Sequence, residues 1–208
     1  MTTAHDIIKK TDELLVATYK SQPVVMDRGD GVYAWDTDGK KYLDFAAGIA
    51  VASLGHAHPK MLDTLNTQAA RMMTCQASYA TQEKLKAAEI LVENSCFDLV
   101  YFSNSGAESV EAALKCARKW AYDNKNEAAN EIIAFNQSFH GRTYGAASVT
   151  AKRKTQPFFA PYLDGVHFAD FNDISSVQAL VNDRTAAIII EPVQGEGGVN
   201  VPDENYLY

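Results

Sequence analysis

Cysteine is scarce. Cys75, Cys96 and Cys116 are odd in number, far apart and in no metal-ligand spacing, so neither a disulfide framework nor a zinc cluster is encoded. Their expected role is that of small buried hydrophobes. Positive charge is scarce too. The formal net charge is −7, and Lys152-Arg153-Lys154 is the only compact basic run, set in a polar connection where a solvated loop is expected. Nucleic acid is thereby excluded as a partner. There is no apolar run of membrane length and no secretory signal pattern, which predicts a cytoplasmic chain that neither spans nor binds a membrane. A G-x-x-x-x-G-K-[ST] loop is also missing, which argues against a nucleotide-dependent phosphate enzyme. His56 and His58 have no further ligands at workable spacing, so they read as turn residues at a helix entry, with Pro59 at the first helical position.

What is present is enough apolar residue, 47% over 208 positions, for one large α/β domain or one and a half ordinary ones. Residues 5–20 carry apolar positions at roughly helical spacing. Residues 32–35 and 40–45 flank the turn Asp36-Thr-Asp-Gly39 as a hairpin, with Tyr33, Trp35, Tyr42 and Phe45 as packing residues. Helices are expected at 60–73 and 81–93.

The chain is organised around FSNSGAES at 102–109. Before it lies the apolar run 99–102, which reads as a strand. After it Val110, Ala113, Leu114, Ala117 and Ala121 fall on one helical face. The turn at 104–107 leaves the first-turn N–H groups of Gly106 and Ala107 without carbonyl partners inside the helix, a cradle for an anion, with Ser103 or Ser105 adding a hydroxyl. A plain Ser-capped helix after a strand fits the octapeptide equally well. On that helix Lys115 follows Glu111 by four residues, the spacing of a surface ion pair.

Two further strands are read at 131–135 and 186–190, the latter without alternation and so expected to be buried on both faces, and a lesser one at 166–169. Asp173 should cap a short helix carrying Ile174, Val177 and Leu180. The three principal runs each end in a loop rich in Gly and polar groups. If they are parallel, Ser105, Gly106 and Ala107, then Phe139 and Arg142, then Gln194 and Glu196 face one crevice at the carboxyl ends of the strands. An anion cradle, an aromatic plate, a carboxylate-binding Arg and acids suit a phosphorylated aromatic cofactor that handles an amino acid.

These residues match a known pattern. GVYAWDTDG at 31–39 with YLDF at 42–45, GIAV at 48–51 with Leu54-Gly-His56, NSGAE at 104–108, FHGRT at 139–143 and EPVQGEGG at 191–198 occur in this order. From about Tyr19 onward the chain resembles the first half of class III pyridoxal-phosphate aminotransferases, most closely the acetylornithine group.

The resemblance implies a fold-type I α/β architecture, a mainly parallel sheet flanked by helices, with residues 1–52 belonging to a smaller domain and 53–208 opening the large cofactor-binding domain. It implies pyridoxal 5'-phosphate as cofactor, with Ser105, Gly106 and Ala107 at the phosphate, Phe139 stacked on the ring and Gln194 near the phenolic oxygen. Some relatives carry Ser or Thr at the Ala107 position, so one hydroxyl contact is absent here. Arg142 would grip the substrate carboxylate, Glu196 would pair with an Arg of the second half, Tyr19 would line the substrate pocket and Glu191 would support the site or end its strand. A homodimer acting on an amino acid and a 2-oxo acid in arginine and ornithine metabolism is implied, with N-acetylornithine, succinylornithine, ornithine and GABA all open as donors. The family's Schiff-base lysine and the Asp for the pyridine nitrogen fall beyond the equivalent of Tyr208. This chain is therefore expected to hold no catalytic lysine and to be inactive alone. A non-catalytic chain that binds phosphate, cofactor or a partner without turnover is the rival reading.

Overall fold

A computed structural model describes residues 2–151 and 156–208. The basic run Lys152-Arg153-Lys154 lies outside the described residues. The chain divides into two compact units, Met1–Gln82 and Glu83–Tyr208.

In the first unit, helix α1 (Ala4–Leu14) starts at a capping box in which Thr3 and Asp6 satisfy each other's backbone N–H. It ends at Leu15, in extended conformation, and so stops short of the expected 5–20 span. The β-branched Val16 and Thr18 and the approach to Pro23 give the following stretch little reason to stay helical. Three antiparallel strands follow in the order β1 (Met26–Asp30), β2 (Tyr33–Asp36) and β3 (Lys41–Leu43). The β2–β3 hairpin is as expected, with Tyr33 opposite Leu43. Its turn is held by Asp36, whose carboxylate accepts from Tyr42 OH at 2.7 Å and from the N–H groups of Lys40 and Asp38. The Tyr42 hydroxyl foremost, then those amides, hold this carboxyl below its ordinary range. β1 was not foreseen, because Met-Asp-Arg-Gly-Asp carries no apolar alternation.

The hairpin aromatics do not form a common core. Phe45 is 91% exposed, while Arg28 sits 3.9 Å over Trp35 and Lys41 sits 3.6 Å over Tyr33. A four-residue segment, α2 (Ala47–Ala50), has left-handed Gly48 and Ile49. His58 then caps α3 (Pro59–Arg71) with Pro59 in its first turn, as expected. His56, expected in a turn, instead forms an antiparallel bridge with Gly31, each donating its N–H to the other's carbonyl at 2.8–3.0 Å, and its Nε2 lies 2.7 Å from Asp44 Oδ2.

The second unit begins within α4 (Gln82–Glu93). Residues 99–102, expected to be a strand, are not one, and Leu99 is 89% exposed. An apolar run becomes a strand only against a ladder partner, and none of the described strands lies beside it. Helix α5 (Gly106–Asn124) buries Leu114 and Ala121, with Val110 and Ala117 packed against the Leu114 cluster, on the face the sequence indicates except that Ala113 is exposed.

The sheet is wholly parallel in the order β5 (Val166–Ala169), β4 (Glu131–Phe135), β6 (Thr185–Ile188). β4 is central and buried at every residue. Ile132 and Ala134 face Leu114 of α5 and Val149, whereas Ile133 and Phe135 face Val177 of helix α7 (Ile174–Leu180). Alternate residues of one strand thus feed two core layers, each large side chain contributing roughly 1.5–3 kcal/mol of burial. The strand expected to be buried on both faces, 186–190, is at an edge of these three, with Ile188 46% exposed. Helix α6 (Tyr144–Ser148) lies in the β4–β5 crossover, and Asp173 caps α7 as expected.

At the amino end of β4, buried Glu131 takes Arg184 Nη2 at 2.7 Å, Asn182 Nδ2 at 2.9 Å and His167 Nε2 at 3.4 Å. The Asn182 amide first, then the Arg184 charge, holds its carboxyl below the ordinary range. All three cysteines are exposed, against the expectation of buried thiols. Among the described residues no helix is long and apolar enough to cross a membrane, and no His, Cys, Asp or Glu cluster could hold a metal.

Candidate active site

The start of α5 is a Ser-capped helix, without the strand expected before it. Ser105 is the N-cap, its hydroxyl accepting from Glu108 N–H at 3.2 Å, while Glu108 Oε2 reaches back to Asn104 N–H at 2.7 Å. Ser103 Oγ is bonded to Ser109 Oγ at 2.6 Å and to the Ser105 carbonyl. The serines therefore shape the turn first. The N–H groups of Gly106 and Ala107 bond to no described residue, so the helix end keeps two donors and its positive dipole for an anion.

The loop after β4 packs directly on this turn. Gly141 has φ 129°, and a Cβ there would stand 2.9 Å from Ala107 Cβ and 3.0 Å from Ala146 Cβ, closer than side chains pack. Phe139 is half-buried and its N–H donates to Glu191 Oε2 at 2.9 Å. Glu191 lies three residues past the end of β6 and anchors the backbone that carries Phe139. The Arg142 guanidinium carbon lies 6.0 Å from the Phe139 ring centroid, at the outer reach of a cation–π contact. His140 donates its N–H to Thr150 Oγ1 at 2.9 Å, and its ring Nε2 is buried without a partner among the described residues. Burial pushes the imidazole pKa down, with the Glu191 charge opposing.

The third loop is tied to the second through Gln194, which is fully buried at 0% exposure. Its Nε2 donates to the Asn136 carbonyl at 2.8 Å and its Oε1 accepts from Asn200 Nδ2 at 3.0 Å, which also reaches Gln137 Oε1. One amide hydrogen of Gln194 stays uncommitted. Glu196 is exposed between Gly195 and Gly197.

The loops of the second unit thus join Ser105, Gly106 and Ala107 to Phe139 and Arg142, and these in turn to Gln194 and the Glu196 turn. Tyr19 belongs to the first unit, exposed in the stretch after α1. Sequence reasoning missed Asn200 and Thr150, and it misread Glu111. Among the described residues Lys115 forms no ion pair. Glu111 Oε1 instead accepts from Thr143 Oγ1 at 2.5 Å, Gly145 N–H at 2.8 Å and Ala146 N–H at 3.2 Å. The available signal was Thr143-Tyr-Gly-Ala, a cap residue opening a first turn with no acid of its own. Two free amides, a half-buried ring, a guanidinium and a buried amide with one free hydrogen fit a phosphorylated aromatic ligand together with a carboxylate.

The aminotransferase class-III family model matches residues 16–208. Acetylornithine aminotransferase of Nostoc sp. is 42% identical over 202 residues, 94% of this chain and 47% of that protein. The ornithine aminotransferase of Toxoplasma gondii ME49 superposes with a TM-score of 0.92 at 35% identity, over 100% of this chain and 50% of that one. A further structure of the Toxoplasma enzyme is described with pyridoxal phosphate at partial occupancy in its active site. Acetylornithine aminotransferase from Elizabethkingia anophelis gives 0.81 at 31% identity, over 100% of this chain and 49% of that one. The chain spans about half the length of the curated Nostoc relative. With the family model covering nearly all of it and the fold-type I architecture shared with these structures, the chain belongs to the class III, pyridoxal-phosphate-dependent aminotransferases.

Proposed function

We propose that this chain is the N-terminal part of an acetylornithine-type aminotransferase that moves an amino group from N-acetylornithine or a close relative to 2-oxoglutarate, in arginine and ornithine metabolism. The observation that carries the reading is the junction of the turn that opens α5 with the loops beyond the carboxyl ends of β4 and β6, Gly141 against Ala107 and Gln194 bonded to Asn136. The choice of donor is supported by the 42% identity to an acetylornithine aminotransferase. Residues 1–52 would belong to the small domain and 53–208 to the large one, in a cytoplasmic homodimer.

Pyridoxal phosphate, when bound, supplies the carbonyl carbon that takes the amino group from one substrate and the ring that accepts negative charge. The residues of this chain bind and orient. Gly106 and Ala107 would donate their free N–H groups to the phosphate at the end of the Ser105-capped helix. Phe139, fixed through its N–H by Glu191, would cover one face of the ring and exclude water. Gln194 would offer its remaining amide hydrogen to the phenolic oxygen, and Arg142 would pair with the substrate carboxylate. Glu196 would screen an Arg supplied from beyond this chain, and Tyr19 would line the donor pocket. No lysine of this chain is assigned a covalent role.

The test is turnover by the complete protein with 2-oxoglutarate and each of the four donors, alongside Arg142→Ala. N-acetylornithine should give the highest kcat/KM, and losing a charge-assisted pair worth about 1.5–3 kcal/mol should lower kcat/KM for carboxylate substrates by roughly 10- to 150-fold. Unchanged kinetics in that variant would remove Arg142 from the site. Cofactor binding without turnover on any donor would refute the enzymatic reading. Borohydride reduction of the 208-residue chain with the cofactor, followed by peptide mapping, should label no lysine stoichiometrically.

A further inference from the structure

Arg142 stands between two anchor points on a single helix. The residue before it, Gly141, lies against Ala107, where even a methyl group would come within 2.9 Å of the Ala107 side chain. The residue after it, Thr143, gives its hydroxyl to Glu111 at 2.5 Å. Ala107 and Glu111 are four residues apart, one above the other on the same face of α5. Glu111 holds more than Thr143. The same oxygen accepts the N–H groups of Gly145 and Ala146, at 2.8 and 3.2 Å, so it caps the first turn of α6. Its approach is closed to any side chain, since a Cβ at residue 145 would fall 2.2 Å from Glu111 Oε2.

We propose that Glu111 is a positioning residue for the substrate carboxylate: it sets the distance between Arg142 and the Gly106–Ala107 cradle by fixing both to α5. The inference rests on the functional reading above, in which Arg142 takes the carboxylate and the cradle takes the phosphate. The phosphate contacts precede Glu111 on the helix and do not involve its side chain. Moving its carboxylate should therefore displace Arg142 and leave the cradle in place. A Glu111→Asp substitution keeps the charge but withdraws the acceptor by about one C–C bond, 1.5 Å. A Glu111→Gln substitution keeps the reach and one carbonyl-type acceptor for Thr143, Gly145 and Ala146.

The experiment uses the complete cofactor-loaded protein and glutarate, a dicarboxylate that cannot react, with affinity read by calorimetry. Glu111→Asp and Glu111→Ala should bind glutarate about 10- to 100-fold more weakly than the parent, the scale of a misplacement near 1 Å. Glu111→Gln should recover most of that affinity. Cofactor affinity should stay within about threefold of the parent in all three, well under the 1.4 kcal/mol of a tenfold change. Amide exchange at Gly145 and Ala146 should accelerate in Glu111→Ala and not in Glu111→Gln. Arg142→Ala run beside them separates the two levels. If it loses glutarate while Glu111→Asp and Glu111→Ala do not, the positioning role is overturned and the functional reading stands. If Arg142→Ala keeps glutarate, both fall. A parallel loss of cofactor and glutarate in the Glu111 variants would mean general loosening of α5 and would also overturn the proposal.

Discussion

Replacing Gln194 by Glu changes one atom in a fully buried side chain and should make stability depend on pH in a new way. In the native protein Oε1 accepts from Asn200 Nδ2 at 3.0 Å, and Nε2 donates to the Asn136 carbonyl at 2.8 Å. A glutamic acid can keep both bonds only when protonated, with its O–H in place of the amide donor. Once ionised it faces the Asn136 carbonyl with an acceptor and sits, charged, where water does not reach. The variant carboxyl must therefore have a folded pKa above its unfolded value of about 4.3. The folded state then binds more protons than the unfolded state, so stability falls as pH rises from the unfolded toward the folded pKa. Each unit of displacement costs about 1.4 kcal/mol, and a lost buried bond plus an unpaired carbonyl implies roughly 3 kcal/mol by neutral pH. Thermal melts of parent and Gln194→Glu from pH 3 to 8 should lie closest below the unfolded pKa of about 4.3 and separate as pH rises from there toward the folded value. A constant gap across that range would show that Gln194 is not held as an obligatory donor.

Two other outcomes can be measured directly. In the complete protein, on the proposed function, Glu196→Ala should shift the balance between the amino-donor and 2-oxoglutarate half-reactions, because an exposed acid between Gly195 and Gly197 is free to swing toward or away from the Arg it is proposed to screen; equal effects on both halves would leave it a purely structural role. Glu131, held below its ordinary range by Asn182 and Arg184, stabilises the fold above its unfolded pKa of about 4.3 and loses that effect as pH falls through its folded value. Glu131→Gln should therefore melt below the parent at pH 7, with the gap closing under acid conditions; a gap that widens there would contradict the assignment.

The parts of this fold that were legible in the sequence are those governed by local rules. The Ser105 cap, Pro59 at a helix start, Asp173 before Ile174 and the apolar face of α5 each depend on neighbours within one turn. What was hidden depends on distant partners. Residues 99–102 have strand composition but no ladder among the described strands, and β1 has a ladder but no strand composition. Glu111 had a local partner at the right spacing in Lys115, yet three donors from 32 to 35 residues away outcompete a solvated ion pair worth a few tenths of a kcal/mol. The candidate site's residues were singled out because they sit in dense motifs. The bonds that hold those motifs together, Gln194 to Asn136 across 58 positions, have no local signature.

The central place of β4 also has a consequence for biosynthesis. Both of its neighbours, β5 and β6, are encoded after it, so Ile132, Ile133 and Phe135 leave the ribosome before either flanking strand exists. At about 5–20 residues per second, a few seconds to ten separate the emergence of Phe135 from that of Ile188. During that interval the most apolar strand of the unit has open edges on both sides, the condition under which nascent chains are captured by chaperones or pair with one another. Slow codons between residues 135 and 188 would lengthen that window and lower soluble yield, whereas the same codons placed before residue 131 would not.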